Sequence, residues 1–142
     1  MQVGELMTRN VPILCPDDSL RVAAYKMDEF NVGALPVCDG ERLIGMITDR
    51  DIAVRGVAQG RGPDTTVREL MTDDVVSVRA DDNVEDVAAK MSEAQVRRVP
   101  VIDQDDKLCG IVSLGDLSRE TGGEAASQAL EGVSRPGGQH QQ

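Results

Sequence analysis

The sequence predicts an α+β fold built from two tandem strand–helix–strand–strand–helix repeats. Its first indication is that the chain reads nearly the same twice. Residues 3–51 run Val-Gly-Glu-Leu-Met-Thr, then Leu-Pro-Val, then Gly-Met-Ile-Thr-Asp-Arg-Asp. Residues 67–116 run Val-Arg-Glu-Leu-Met-Thr, then Val-Pro-Val, then Gly-Ile-Val-Ser-Leu-Gly-Asp. The offset is 64 residues up to Asp39/Asp103 and 65 afterwards, which places a one-residue insertion in the second hairpin turn. A second indication is that helical and alternating apolar spacings occur in the same order in both copies. A third is size: a unit of this length buries its apolar face poorly alone, so two copies are expected to fold as a pair.

The elements follow in order. Residues 3–7 and 67–71 form a short helical lead-in ending at Met-Thr. Residues 11–14 and 75–78 are short strands. Asp17-Asp18-Ser19 and Asp81-Asp82-Asn83 supply helix N-cap chemistry and a negative first turn. Leu20, Ala23, Ala24 and Met27, and then Val84, Val87, Ala88 and Met91, recur at helical spacing with small residues that favour close packing. Residues 34–38 with 43–47, and 99–102 with 108–112, read as β-hairpins turning at Asp39-Gly40 and residues 103–106. A helix follows each, over 50–57 and 114–120. The first repeat occupies residues 1–60 and the second 67–120, joined by a linker over 56–66. Residues 121–142 are rich in Gly, Gln and Ser and read as a mobile tail, transiently helical around 125–130.

Composition narrows the function. The 142 residues carry 25 acidic and 15 basic side chains, a net charge of −10. The count is −3 over residues 1–60, −6 over 61–120 and −1 in the tail. Without a basic stripe, nonspecific DNA or RNA binding is not expected. Nothing polybasic or lipid-modified points to a membrane surface, and no apolar run reaches the roughly 18 residues that span a bilayer. The N-terminus lacks a charged-then-apolar signal, so the expected location is the cytoplasm. The only aromatic residues are Tyr25 and Phe30. The core must therefore be aliphatic, and a bound base must be sandwiched largely by aliphatic side chains.

Catalytic classes find little support. The three cysteines, Cys15, Cys38 and Cys109, form no Cys-x-x-Cys, and the one histidine, His140, lies in the tail. A structural zinc site and a Cys/His nucleophile pair are therefore not expected. Without a histidine placed for proton transfer, a Gly-x-x-x-x-Gly-Lys loop or a metal-ligand cluster, the chain is not expected to be an enzyme. Cys15 and Cys38 end the first two strands of the first repeat. Parallel neighbouring strands would bring both to one edge, where a disulfide is geometrically possible. The cytoplasmic expectation argues for free thiols.

Thr48-x-x-Asp51 and Ser113-x-x-Asp116 stand where a strand passes into a helix. Both fit a capping box, hydroxyl and carboxylate bonding reciprocally to backbone N–H groups. The same geometry suits a ligand, because a helix N-terminus attracts phosphate and a carboxylate there accepts two bonds from a ribose diol. Arg97-Arg98 precede Val99-Pro100-Val101. They read either as solvated surface charges or as a guanidinium clamp for phosphate. Their counterparts in the first copy are Gly33-Ala34, so a phosphate clamp there would have to fall to Arg50 or Arg9.

With these residues in place, the chain resembles a tandem pair of cystathionine-β-synthase (CBS) domains, a Bateman module of the stand-alone bacterial type. The resemblance spans about residues 3–120. It rests on Leu6-Met7-Thr8 and Leu70-Met71-Thr72, Leu35-Pro36-Val37 and Val99-Pro100-Val101, Gly45 to Asp51 and Gly110 to Asp116. It implies a pseudo-two-fold pair that commonly dimerises into a flat disc. The family typically binds AMP, ADP, ATP, NAD or S-adenosylmethionine as effectors in clefts between the repeats. One site would combine Arg97, Arg98, Ser113 and Asp116 with Thr8, Val11 and Ile13. The other would combine Thr48 and Asp51 with Thr72, Val75 and Ser77. The Thr and Val positions would offer backbone amides to an adenine edge. The expected function is a non-enzymatic sensor, homodimeric, that signals to a separate protein. The alternative is a redox- or stress-responsive structural dimer with Cys15 and Cys38 as a thiol switch and no nucleotide role.

Overall fold

A computed structural model describes residues 1–121, and the tail beyond, including the helix expected around 125–130, lies outside the described residues. The described chain forms two compact units whose boundaries cut across the sequence repeats. One unit comprises Met1–Val11 together with residues 76–121, and the other comprises Pro12–Val75. The repeats have exchanged their lead-ins, and hydrogen bonds show how.

In the unit of Pro12–Val75, helix α1 (Leu20–Phe30) is followed by the antiparallel strands β1 (Ala34–Asp39) and β2 (Arg42–Thr48). Ser19 caps α1 by accepting the Val22 N–H, and Asn31 ends it in the left-handed conformation. The second lead-in turn, Val67–Glu69, docks at the start of α1: Leu20 N–H donates to Thr65 O and Val67 N–H to Asp18 O. Val67 and Leu70 join Leu14, Leu35, Val37 and Ile47 in an aliphatic core.

The other unit repeats the plan with β3 (Val78–Arg79), α3 (Val84–Ala94), β4 (Arg98–Ile102), β5 (Leu108–Ser113) and α4 (Leu114–Thr121). Strand β3 runs parallel to β4, and β4 antiparallel to β5. Here it is the first lead-in, Val3–Glu5, that docks beside α3, with Val3 N–H on Asp82 O, Gly4 N–H on Ala80 O and Val84 N–H on Met1 O. Val3 and Met7 are buried with Val87, Met91, Val99 and Leu117. No aromatic residue enters either core; Tyr25 and Phe30 are exposed.

Several elements depart from expectation. Lead-ins are single 3-10 turns rather than helices. Of the strand expected over 11–14, only Leu14 pairs, in parallel with Val37, and the strand expected over 75–78 is reduced to Val78–Arg79. The aspartates before the helices act on the preceding turn: Asp18 accepts from Cys15 N–H and Asp82 from Arg79 N–H. Asn83 makes no side-chain cap, and Ala24 is exposed while Ala88 is buried. The helix expected over 50–57 is irregular. One α turn, α2 (Asp49–Asp51), passes into a π stretch Ile52–Gly56 and a 3-10 turn Val57–Gln59. Gly56 is buried there, and a Cβ on it would stand 3.2 Å from both Leu20 Cδ1 and Leu70 Cδ1. The helix lies close to the core at that point.

Candidate functional site

Each unit holds one copy of the same arrangement, at the point where the last hairpin strand enters the following helix. In one, Asp51 N–H donates to Thr48 Oγ1 and Thr48 N–H to Asp51 Oδ2, both at 3.0 Å. In the other, Ser113 N–H donates to Asp116 Oδ2 at 2.8 Å and Asp116 N–H to Ser113 Oγ at 3.2 Å. The capping box is therefore formed twice. It fixes each carboxylate with one oxygen engaged and the other turned to an arginine one helical turn on. Asp51 Oδ1 stands 3.9 Å from Arg55 Nε, and Asp116 Oδ1 accepts from Arg119 Nη2. Asp51 and Asp116 are both buried, at 2% and 7% exposure. Burial pushes the Asp51 carboxyl above its ordinary value, against the Thr48 hydrogen bonds and the Arg55 charge, which lower it.

The lead-in segment lies on the far side of the same strand. Thr8 pairs with Ile111 of β5 through Thr8 N–H on Ile111 O (2.8 Å) and Ile111 N–H on Thr8 O (3.0 Å). Thr72 pairs with Met46 of β2 through bonds of 2.8 and 2.9 Å. Glycine at positions 45 and 110 permits this approach. A Cβ on Gly110 would stand 2.6 Å from Thr8 O, and one on Gly45 2.6 Å from Met71 Sδ and 3.0 Å from Thr72 O. Glycine at the start of the runs Gly45 to Asp51 and Gly110 to Asp116 therefore makes room for a neighbouring backbone.

The expected residue sets are brought together in part. Thr8, Val11, Arg97, Arg98, Ser113 and Asp116 belong to one unit, and Thr48, Asp51, Thr72 and Val75 to the other; Ile13 and Ser77 fall in the opposite unit from the sets expected to contain them. The expectation that the threonine backbones read an adenine edge is corrected, because sheet pairing engages the N–H and C=O of both Thr8 and Thr72. Val11 and Val75 keep that possibility: they are half-buried, and their peptide groups make no hydrogen bond among the described residues. Thr72 adds another unsatisfied group, a buried hydroxyl without a partner among the described residues.

Arg98 starts β4 opposite Ser113, and Arg97 O accepts Leu114 N–H at 2.8 Å, so both arginines border the Ser113–Asp116 turn. The same backbone bond in the other unit joins Asp49 N–H to Gly33 O at 2.9 Å. Sequence reading missed the helix arginines Arg55 and Arg119, although their spacing of four and three residues from the motif aspartates could have revealed them. It also missed Lys26 and Lys90, 64 residues apart, whose Nζ atoms donate to Ile13 O and Ser77 O, each at 2.7 Å.

Cys15 and Cys38 are neighbours by backbone, since Leu14 N–H donates to Pro36 O and Cys38 N–H to Leu14 O. They are nevertheless free thiols, and the possible Cys15–Cys38 disulfide is not formed. Cys15 is exposed, whereas Cys38 lies in a strand buried along all but its last residue. Burial, with a smaller contribution from Cys15, pushes the Cys38 thiol up to about 11.

Two exchanged lead-ins and two copies of the capped aspartate define a tandem-repeat module, and comparison with known proteins assigns it. Residues 3–56 and 67–123 match the CBS domain, and the chain belongs to the CBS domain family as a tandem pair. It is similar to the CBS domain-containing protein YhcV of Bacillus subtilis, at 42% identity over 93% of this chain and 94% of YhcV. The structure of CBSX2 in complex with AMP is 31% identical, covering 84% of this chain and 95% of CBSX2, with a TM-score of 0.75. That of the CBS domain pair of MJ0100 in complex with 5′-methylthioadenosine and S-adenosyl-L-methionine is 34% identical, covering 84% and 98%, with a TM-score of 0.74. The crystal structure of Hypoxic Response Protein I, with two coordinated zinc ions, is 39% identical over 84% of this chain and 98% of that one, with a TM-score of 0.78. Among the described residues of this chain, no three His, Cys, Asp or Glu side chains gather to hold a metal ion. Two enzymes match over only 23% and 20% of their own lengths. No helix among the described residues is long and apolar enough to cross a membrane.

Proposed function

We propose that the protein is a regulatory sensor that binds an adenosyl ligand at each capped aspartate and signals to a separate partner protein. The observation that carries this reading is the duplicated constellation itself. A buried carboxylate is held rigidly, with one oxygen directed outside the cap, and a lead-in segment along the same strand brings half-buried, unengaged peptide groups at Val11 or Val75. Asp51 and Asp116 hold the ribose, and the peptide groups of Val11 and Val75 serve the adenine. AMP bound to CBSX2, and 5′-methylthioadenosine and S-adenosyl-L-methionine bound to MJ0100, support this ligand class. A ligand that binds one arrangement of the protein better than another shifts the population toward it, which is what a sensor requires. The working form is a homodimer in the cytoplasm, and the exposed Val22, Tyr25 and Phe30 of α1 favour a second copy.

The test is thermal unfolding with AMP, ADP, ATP, NAD, S-adenosylmethionine and adenosine. At a hundred times its Kd a ligand adds about 2.7 kcal/mol, which raises Tm by several degrees in a domain of this size. Asp116→Ala abolishes the shift at its site while costing the fold about 1 kcal/mol as a lost cap. Absence of any shift across the panel refutes the adenosyl reading. In that event the neighbouring backbones of Cys15 and Cys38 favour the thiol-switch reading, which predicts a 2 Da mass loss confined to the peptides of these two residues on oxidation.

A further inference from the structure

Cys15 and Cys38 stand where the other unit has a ladder pair. Leu14 pairs in parallel with Val37, with Leu14 N–H on Pro36 O and Cys38 N–H on Leu14 O, each at 2.9 Å. Cys15 and Cys38 are the next residues along. In the other unit the parallel ladder runs on, from Val78 with Val101 to Arg79 with Ile102, the counterparts of Cys15 and Cys38. The next bond along would use the N–H of residue 16, which is proline and has none, whereas its counterpart is Ala80. The first repeat thus carries two thiols at the position where the second carries a paired rung. Neighbouring strands stand about 4.8 Å apart, inside the roughly 4.4–6.8 Å between Cα atoms that a disulfide spans. Cys15 already raises the Cys38 thiol through space, behind the larger effect of burial. Only Cys15 is exposed, so a reagent from solution meets that thiol first.

The turn after Cys15 receives the second lead-in. It is closed by Asp18 N–H on Cys15 O at 3.0 Å and by Cys15 N–H on Asp18 Oδ2 at 2.8 Å. Its carbonyls then face the lead-in: Pro16 O accepts the Arg68 N–H at 3.1 Å, and Asp18 O the Val67 N–H at 2.8 Å. Further along, Thr72 is tied to Met46 of β2. One end of this segment is therefore held by the sheet, and the other by a turn that Leu14 alone anchors to β1 through a ladder pair among the described residues.

We propose that Cys15 and Cys38 are a thiol–disulfide exchange site whose closure locks the second lead-in onto its unit. The Cys15 thiolate attacks one sulfur of a low-molecular-weight disulfide, forming a mixed disulfide and releasing one thiolate. Cys38 gives its proton to water and attacks the Cys15 sulfur, forming the Cys15–Cys38 bond and releasing the second thiolate. The protein loses two electrons and two protons, and the small disulfide is reduced to two thiols. Resolution is the slower step, because burial keeps Cys38 protonated. The covalent bond takes the place of the missing rung and fixes the turn that holds Val67 and Arg68. The site uses none of the residues assigned to the adenosyl ligand and stands whether or not that ligand binds.

Glutathione disulfide added to the full chain tests it, read by peptide mass and amide hydrogen exchange. The expected result is a glutathione adduct on Cys15, followed by a Cys15–Cys38 bond, with Cys109 unmodified. Cys38→Ala stops at the Cys15 adduct, and Cys15→Ser gains none at Cys38. Closing the loop raises Tm by several degrees, reversed by dithiothreitol. In the oxidised chain the amides of Val67 and Arg68 exchange about tenfold more slowly, while those of Val3 and Gly4, docked on Asp82 and Ala80 in the other unit, keep their rates. Cys15 left unmodified, or a Cys15 adduct in the unaltered chain that Cys38 never resolves, overturns the exchange site. A Cys15–Cys38 bond that leaves Val67 and Arg68 exchange unchanged, or slows Val3 and Gly4 equally, overturns the lock. None of these outcomes bears on the adenosyl reading, which the thermal panel decides separately.

Discussion

The unit of Pro12–Val75 and the unit built around α3 and α4 use one backbone plan and differ in what hangs on it. Both dock a 3-10 lead-in beside a helix N-terminus, both pass a threonine along the last hairpin strand, and both cap an aspartate with the hydroxyl three residues before it. They diverge where packing and charge are free to vary. One continues from its cap into a regular helix, α4, and the other into a π stretch over the buried Gly56. One borders its cap with two arginines, the other with Asp49. The repeats thus share the groups that close backbone hydrogen bonds and differ in the side-chain charge beside them, because an unclosed buried N–H costs the fold directly whereas a changed charge at an exposed position costs it little.

The sharpest way to break this equivalence is at the matched glycines. Gly110→Ala puts a methyl group 2.6 Å from the Thr8 carbonyl, a backbone atom tied into the sheet. Gly45→Ala first meets the Met71 thioether, which can swing away. The first substitution is expected to cost about 3 kcal/mol and the second about 1 kcal/mol, read as urea midpoints. Equal losses would show that the Thr8 and Thr72 segments are held alike.

A smaller effect separates the units at alkaline pH. Cys38, whose counterpart in the other unit is Ile102, is an acid whose folded pKa, about 11, lies above its ordinary 9.0. The unfolded chain therefore releases this proton first. Stability falls as pH rises from 9 to 11, by up to about 3 kcal/mol, and then levels off. Unfolding midpoints across that range should lose this slope in Cys38→Ala; an unchanged slope assigns the effect to other groups.

The smallest effect lies at the paired lysines. Lys26 and Lys90 make the same 2.7 Å bond to a backbone carbonyl, the first half-buried and the second exposed. Lys26→Met is expected to cost about 1.5 kcal/mol and Lys90→Met about 0.5 kcal/mol, since water replaces the lost donor at the exposed carbonyl. A reversed order in denaturant titrations would mean that the two carbonyls are not equivalent.

Much of this was legible in the repeat. The hairpins, α1, α3 and both capping boxes follow from apolar spacing and from Thr/Ser-x-x-Asp, which act over a few residues. The strands over 11–14 and 75–78 were over-read: the ladder pairing shown for them is that of Leu14 with Val37 and of Val78–Arg79 with Val101–Ile102. The approach of Asp49 to Gly33, 16 residues earlier, was not legible, because the local pattern shows Asp49 only as one more acid at a helix start.

By itself the sequence determined that there are two copies of an α+β unit with an aliphatic core, and that each places a hydroxyl and a carboxylate at a helix start, because periodicity and capping are local. Tertiary structure alone decided that each lead-in completes the core of the other repeat, that Gly45 and Gly110 make room for it, and that Thr8 and Thr72 engage their backbones in the sheet while Val11 and Val75 do not. These depend on which distant segments bury each other's apolar faces, a choice that identical local signals in two repeats leave open.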